Sequence, residues 1–253
     1  MNQIKNIIAI SSGKGGVGKS SIATNLALSL SNQKFSVGLL DADIYGPNIP
    51  KMLGLSNEIK VSMVDGKFKP ILSHDILINS MALMSAENTP LIWRGPMAAK
   101  ACIQLYHNTA WGDLDFLIID FPPGTGDIQL TLGKNINFSG AVIVTTPQDI
   151  SLLDVKKGIE MFKKLNIRCL GVVENMSGFA CSKCGNEESI FGKGAGNKIS
   201  SEYSIPLLGK IPLSVDICDS MDCGKPITYH NPTSKVSLNF SLISKNIARE
   251  IDS

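Results

Sequence analysis

The sequence predicts an α/β protein built on a mainly parallel sheet with helices on both faces. Three observations predict it. Short, mostly apolar runs recur along the chain and end at polar or acidic residues, as buried parallel strands do. Stretches of helical period separate them, and strands alternating with helices mean βαβ units. Over 253 residues the composition is 43% apolar and 18% charged, enough core-forming material to cover a sheet twice.

Taken in order, residues 6–12 (NIIAISS) form a short apolar run bounded by glycine and suit a buried strand. Residues 19–31 carry Ile22, Leu26 and Leu30 at helical spacing, with Ala23 and Ala27 alongside. Residues 36–41 (SVGLLD) read as a second strand with an acidic end. Residues 58–84 break the rhythm with short alternating pieces, 59–64 and 76–84, which read as an antiparallel excursion or edge hairpin. The strand form returns at 116–120 (FLIID), 141–145 (AVIVT) and 168–174 (RCLGVVE), and more weakly at 207–211. Residues 150–165 and 232–251 are the clearest of the later helices. With no internal repeat, low-complexity tract or proline- or serine-rich linker, residues 1–253 read as one domain.

Net charge is +2 with no dense Lys/Arg block, which argues against a protein whose main task is gripping nucleic-acid phosphates. No apolar run approaches the roughly 18–20 residues of a membrane span. The start, Met1-Asn2-Gln3-Ile4-Lys5, leads into a glycine-rich loop where a signal-peptide cleavage site would fall, so a cytosolic chain is expected. Six cysteines in such a chain read as thiols, ligands or buried small hydrophobes.

The pattern G-x-x-x-x-G-K-S is met by Gly13, Gly18, Lys19 and Ser20, between a predicted strand and a predicted helix. Across Gly13-Lys14-Gly15-Gly16-Val17-Gly18-Lys19-Ser20-Ser21, glycines let backbone N–H groups turn inward on phosphate oxygens, and the helix N-terminus adds its partial positive charge. Lys19 is placed to reach the β- and γ-phosphates and Ser20 to hold Mg²⁺. Asp120, ending the 116–120 strand, is placed like a Walker B aspartate that steadies the Mg²⁺ shell. Asp41, in Asp41-Ala42-Asp43 at the end of the second strand, reads equally as structural or catalytic.

Lys14, so early in the loop, resembles the deviant Walker A ATPases, the group of MinD, ParA, the arsenite pump ATPase and the nitrogenase iron protein. The resemblance implies a P-loop NTPase of that (SIMIBI) type and an ATP-dependent homodimer in which Lys14 reaches the partner's nucleotide. Asp43 resembles the switch I aspartate that orients the attacking water. Pro122-Pro123-Gly124-Thr125-Gly126-Asp127 resembles a switch II loop in which the Gly124 N–H senses the γ-phosphate. The guanine-reading Asn-Lys-x-Asp pattern is missing; Asn197-Lys198-Ile199-Ser200 lacks its aspartate and follows no strand. Asn175 matches the residue that reads adenine in the resembling family, so ATP is favoured.

Cys181-Ser182-Lys183-Cys184-Gly185 follows the strand ending near Glu174. A C-x-x-C turn brings two sulfurs to one metal centre, yet tetrahedral thiolate sites want four. A symmetric dimer supplies them if both pairs face the two-fold axis. Either [4Fe–4S] or Zn²⁺ suits such a site; a reduced structural pair and a redox pair are the other readings. Cys102 and Cys169 read as buried packing, Cys218 and Cys223 lack companions, and His74, His107 and His230 are scattered.

Together the chain resembles the Mrp/ApbC-type iron–sulfur cluster carrier ATPases. The matching strings are residues 13–20, 41–48 (DADIYGPN), 93–97 (WRGPM), 120–127 (DFPPGTGD), 174–177 (ENMS), Cys181/Cys184 and 190–192 (IFG). The resemblance implies a homodimer bridging [4Fe–4S] through Cys181 and Cys184, slow ATP hydrolysis, and cluster exchange with assembly proteins and apo iron–sulfur proteins. The small N-terminal domain of many bacterial members and the N-terminal cysteine cluster of eukaryotic ones are absent from this sequence, leaving one cluster per dimer at most. In 192–196 (GKGAG) an alanine stands where members often have glycine. The alternative is a MinD/ParA-like regulatory ATPase whose dimer is stapled by Zn²⁺. Its membrane version needs a cationic amphipathic tail, whereas 236–251 has only Lys245 and Arg249 as basic residues and reads as a core-docked helix. An electron-transfer ATPase like the nitrogenase iron protein would need a cysteine soon after switch II, and 128–134 has none.

Overall fold

A computed structural model describes residues 3–56, 59–84, 95–181 and 183–252. Trp93 and Arg94 of the WRGPM string, Ser182, and the first residue of the 58–84 excursion lie outside them. The elements run β1 (Ile4–Ser12), α1 (Lys19–Asn32), β2 (Val37–Asp41), α2 (Ile49–Met52), β3 (Met63–Val64), β4 (Lys67–Phe68), β5 (Ile71–Ser73) and β6 (Ile76–Ser80). They continue α3 (Gly95–Asn108), β7 (Leu114–Asp120), α4 (Asp127–Asn135), β8 (Gly140–Thr145), α5 (Ile150–Lys164), β9 (Cys169–Ala180) and β10 (Glu187–Glu188). The chain closes with α6 (Ala195–Tyr203), β11 (Leu207–Leu213), α7 (Val215–Asp222), α8 (Ile227–His230) and α9 (Lys235–Asp252).

The main sheet is ordered β10-β9-β8-β1-β7-β2-β6-β5, with β11 also paired to β9. Pairings among β1, β2, β6, β7, β8, β9 and β11 are parallel; β5 and β10 join antiparallel. Strand alternation divides the core into two layers. Ile8, Ile10, Leu39, Ile118, Val142 and Val144 pack with α1 and α9 on one face. Ile7, Ala9, Leu40, Leu117, Ile119 and Ile143 pack with α3, α4 and α5 on the other. β1 lies between β7 and β8, and the chain leaves its carboxyl end for β2 while β8 leads away to β9. Such a switch point is where an open α/β sheet places its ligand crevice.

α1 is buried almost all round, because α9 covers the side that the sheet does not. Two of its buried polar residues find partners there: the Asn25 side chain bonds the Ser21 carbonyl and Thr228, and Ser29 meets the Ser244 hydroxyl at 2.9 Å. α9 docks as expected, but through Val236, Phe240, Ile243 and Ile247, leaving Leu238 and Leu242 exposed.

The excursion before residue 84 is only partly antiparallel. β3 pairs antiparallel with β4 and β5 with β6, but β6 pairs parallel with β2 from Leu77 to Ser80 and belongs to the main sheet. Its burial, set by Ile76, Ile78, Asn79 and Ser80, decides that membership. β9 also differs from expectation, running past Glu174 to Ala180. Met176 and Gly178 along it take left-handed backbone angles, φ 57° and 81°, an irregularity that makes the stretch read as loop in sequence.

Candidate functional site

β1, the loop 13–18 and α1 form a strand–turn–helix at the switch point. Gly18 caps α1 at φ 80° and ψ 23°, a conformation costly for any residue with a side chain. A methyl there would also run into the Asn175 amide, and one on Gly13 would strike the Asp154 backbone of α5. Asn175 Nδ2 donates to the Val17 carbonyl at 2.8 Å, and Ser12 Oγ donates to the Lys14 carbonyl at 2.9 Å. The loop is thus held between α5 and the end of β9. Asn175, expected at adenine, here spends its N–H on the loop itself.

Lys19 is buried, with Nζ 2.6 Å from Asp120 Oδ1, 3.6 Å from Asp43 Oδ2 and 3.4 Å from Ser20 Oγ. Asp120 Oδ2 and Asp43 Oδ1 are buried with no hydrogen-bond partner among the described residues. Burial pushes the Asp120 carboxyl up from its ordinary value, and the Lys19 ammonium opposes it. Two orphaned carboxylate oxygens beside a single ammonium demand further positive charge. The arrangement fits Mg²⁺, which takes one or two protein oxygens and completes its shell with phosphates and water.

Asp41 is structural in its contacts. It accepts hydrogen bonds from the Asp43 and Ile49 N–H groups at 3.2 and 3.3 Å and from Ser80 Oγ at 3.0 Å, tying the loop after β2 to β6. Burial, then the Asp120 charge, pushes its pKa to about 8.

The remaining predicted loop residues are parked on their own chain. Lys14 Nζ donates to Gln148 Oε1 at 3.3 Å. The Gly124 N–H donates to the Ser12 carbonyl at 2.9 Å, so taking a phosphate oxygen would require that bond to open. Gln129 on α4 donates to the Pro122 and Pro123 carbonyls at 3.0 and 2.8 Å, bracing the same loop. Ser21 lies in the first turn of α1, its carbonyl taken by Asn25.

β9 and β10 form a hairpin whose tip holds the cysteine pair. The Cys181 N–H donates to the Asn186 carbonyl at 2.9 Å and the Gly185 N–H to the Cys181 carbonyl at 2.8 Å, closing the turn. The backbone N–H groups of Cys184 and Lys183, with the Cys184 thiol, point at the Cys181 sulfur and hold it below the usual thiol pKa. The turn therefore favours the thiolate form at Cys181. Cys184 is exposed and Cys181 half-buried, so the ligand-bearing tip faces outward.

Beside the tip, a cleft of about 900 Å³ follows the last residues of β9 and has Cys181 in its wall. At its inner end Glu174 is buried, accepting from Ser177 Oγ at 2.6 Å and the Gly196 N–H at 2.8 Å, with Lys210 Nζ at 3.3 Å. Glu174, Gln129 and Gln148 are site residues that sequence reasoning missed. Glu174 ends the apolar run of β9, a position whose acidic counterparts Asp41 and Asp120 were singled out. Cys102 is buried with its thiol on the Ala42 carbonyl, Cys169 is half-buried, and Cys218 and Cys223 are exposed at α7. His74 and His230 are less scattered than expected, their rings 5.5 Å apart around Tyr229.

Comparison with known proteins bears on both halves of this site. Residues 3–248 match the family model described as ParA, NUBPL iron-transfer P-loop NTPase. The chain is 49% identical over 251 residues to the iron–sulfur cluster carrier protein of Escherichia coli K12, covering 99% of itself and 68% of that protein. It is 49% identical over 247 residues to the protein of that name from Pseudomonas fragi, covering 97% and 86%. A nucleotide-binding protein from Archaeoglobus fulgidus, solved in complex with ADP, superposes with a TM-score of 0.79 at 37% identity, covering 90% of this chain and 89% of that one. MinD from Pyrococcus horikoshii shares the fold at a TM-score of 0.74 and 22% identity, with 96% and 95% covered.

Proposed function

The chain belongs to the ParA family of NUBPL iron-transfer P-loop NTPases, and we propose that it is an ATP-dependent carrier of iron–sulfur clusters working as a cytoplasmic homodimer. The observation that carries the reading is that one strand joins both chemistries. β9 presents Asn175 to the phosphate loop and ends at Ala180, beside Cys181 of the cysteine turn. The chain between the two points is a single stretch of β9, bent at Met176 and Gly178.

ATP entering the loop would draw the Lys19 ammonium from Asp120 to the β- and γ-phosphates. Ser20 and Asp120 would hold Mg²⁺, which would supply positive charge to the phosphate oxygens. Asp43 would then orient the attacking water, a positioning task that an ordinary carboxylate performs. Lys14 is held by a 3.3 Å bond to Gln148, and its release toward a second subunit's nucleotide would close the dimer. Closure brings two outward-facing Cys181/Cys184 tips to the two-fold axis, and four thiolates complete a site for a [4Fe–4S] cargo. Hydrolysis is slow in this reading because it times release of the cluster to apo iron–sulfur proteins, after loading from cluster-assembly proteins. Neither nucleic acid nor a membrane enters the cycle.

The test is transfer from loaded protein to an apo-ferredoxin with and without ATP. Lys14→Ala and Lys19→Ala should hold cluster yet lose the ATP response. Transfer at the normal rate by both variants with ATP present would reject the coupling.

A further inference from the structure

Helix α9 meets solvent along one narrow stripe. Its exposed residues are Lys235, Leu238, Leu242, Lys245, Arg249 and Asp252, while Val236, Phe240, Ile243 and Ile247 are buried in the core it shares with α1 and β11. From Lys235 to Arg249 the exposed positions step alternately by three and four residues. At 3.6 residues per turn they fall within an arc of about 80° and run for about 21 Å. Two leucines thus stand at the middle of the stripe with cations at both ends, and Asp252 adds one negative charge just beyond it. Among the described residues Lys235, Lys245 and Arg249 make no ion pair or hydrogen bond. The acid beside them in sequence, Glu250, is taken by Arg168 at 2.9 Å.

Resting on the carrier reading, we propose that this stripe docks an acidic amphipathic helix of the apo-protein that receives the cluster. Alternating steps of three and four are the seam along which two helices interlock side chains. Leucines of the incoming helix would meet Leu238 and Leu242, and its carboxylates would meet the three cations. An apolar centre with charged ends is also the core-and-rim plan of a protein interface. A second copy of this chain fits badly, because a two-fold contact sets the patch against itself and opposes cation to cation. A lipid surface fits badly too. Leu238 and Leu242 are only 57% and 54% exposed, and the other large apolar side chains of α9 are docked in the core, which leaves no broad face to enter acyl chains. A helix with its side chains is about 10 Å wide, so the stripe offers roughly 200 Å², far below the about 800 Å² per partner of a lasting complex. The contact is therefore a brief encounter drawn in by charge, as a handover that must end in release requires. Lys235, at the head of the stripe, borders the same cleft as Cys181, so a helix seated here has one end on the side of the cysteine turn.

The experiment uses two exposed-face variants, Lys245→Glu/Arg249→Glu and Leu238→Ser/Leu242→Ser, with no place in the nucleotide site or the cysteine turn. Fluorescence anisotropy on the cluster-free protein uses a short lactam-bridged helix with two leucines one turn apart and glutamates beyond them on the same face. Its control is the same helix with lysines for the glutamates. Wild type should bind the glutamate helix about tenfold more tightly than the lysine helix, and each variant should lose about tenfold, as two charge contacts or two leucine contacts imply. Transfer to apo-ferredoxin should slow by a similar factor in both variants, most at low salt for the charge pair, while ATPase rate and iron content stay unchanged. The proposal is overturned if wild type ignores the glutamate helix, or if the variants bind and transfer as wild type does. Slower loading with normal transfer would give the stripe to the cluster donor and overturn the acceptor assignment. Binding to phosphatidylglycerol vesicles that the variants lose would overturn it in favour of a membrane, and a dimer weakened in sedimentation would overturn it in favour of a second copy. Wild-type protein that takes up no cluster would defeat the carrier reading instead, and the cluster-free anisotropy would still decide whether the stripe binds an acidic helix.

Discussion

Asparagine at position 41 should reduce a pH dependence that the wild-type fold carries, leaving the part due to Asp120, whose carboxyl burial pushes the same way. Asp41 is fully buried, and burial beside Asp120 lifts its pKa from an ordinary 3.8 to about 8. A carboxyl with a raised folded pKa binds its proton more tightly folded than unfolded. Its contribution is therefore most favourable at acid pH, falls as pH rises from about 4, and levels off above about 8. Each pH unit inside that window is worth about 1.4 kcal/mol. From pH 8 down to 6.5 the gain is about 1.6 kcal/mol, with half-titration at the upper end taken into account. For a chain of this length that corresponds to roughly 3–7 °C in Tm. His74, whose pKa is lowered by burial and by His230, contributes with the opposite sign, but only below its ordinary 6.5. The assay is thermal unfolding by circular dichroism, without nucleotide and in EDTA, for wild type and Asp41→Asn. A wild-type Tm that stays flat or falls between pH 8 and 6.5, or an equal rise in the variant, would refute the assignment.

Gly18→Ala should destabilise the fold by about 2 kcal/mol, from left-handed strain and the clash with Asn175, and should weaken nucleotide binding; urea unfolding and titration with a fluorescent ATP analogue measure both. In native protein a thiol reagent should label Cys181, Cys184, Cys218 and Cys223, with Cys181 reacting readily at neutral pH, while Cys102 and Cys169, pushed by burial to about 12 and about 11, react only after unfolding. Mass mapping of labelled peptides reads the order. Ser177→Ala removes the 2.6 Å bond to buried Glu174 and should cost about 1 kcal/mol by urea unfolding.

Much of the fold was legible because its strands are buried on both faces and announce themselves as apolar runs. Residues 6–12, 116–120 and 141–145 fall inside β1, β7 and β8, and the phosphate loop sits at the turn its glycines mark. The less legible parts depend on contacts distant in sequence. β9 continues through Asn175, Met176 and Ser177 because Ile211 and Leu213 of β11 pair with it, although its own residues there are polar or left-handed. The bonds from Lys14 to Gln148 and from Asn175 to Val17 span more than 130 residues, and no local pattern encodes them. Leu238 and Leu242 share helical spacing with residues that dock, yet the rotation of α9 against β11 leaves them outside. Asp41 was undecided in sequence because capping and catalytic carboxylates look alike at a strand end; its three hydrogen bonds separate the two.

The central claim is that two Cys181/Cys184 turns hold one cluster between two subunits. Anaerobic reconstitution with iron and sulfide, followed by iron analysis, absorbance and native mass measurement, tests it, with Cys181→Ala/Cys184→Ala as control. The account predicts about four irons per dimer, the count of one [4Fe–4S] cluster, lost in the control. Zinc in place of iron, or an ATP-hydrolysing dimer that takes up neither, would contradict it and leave a regulatory ATPase in its place.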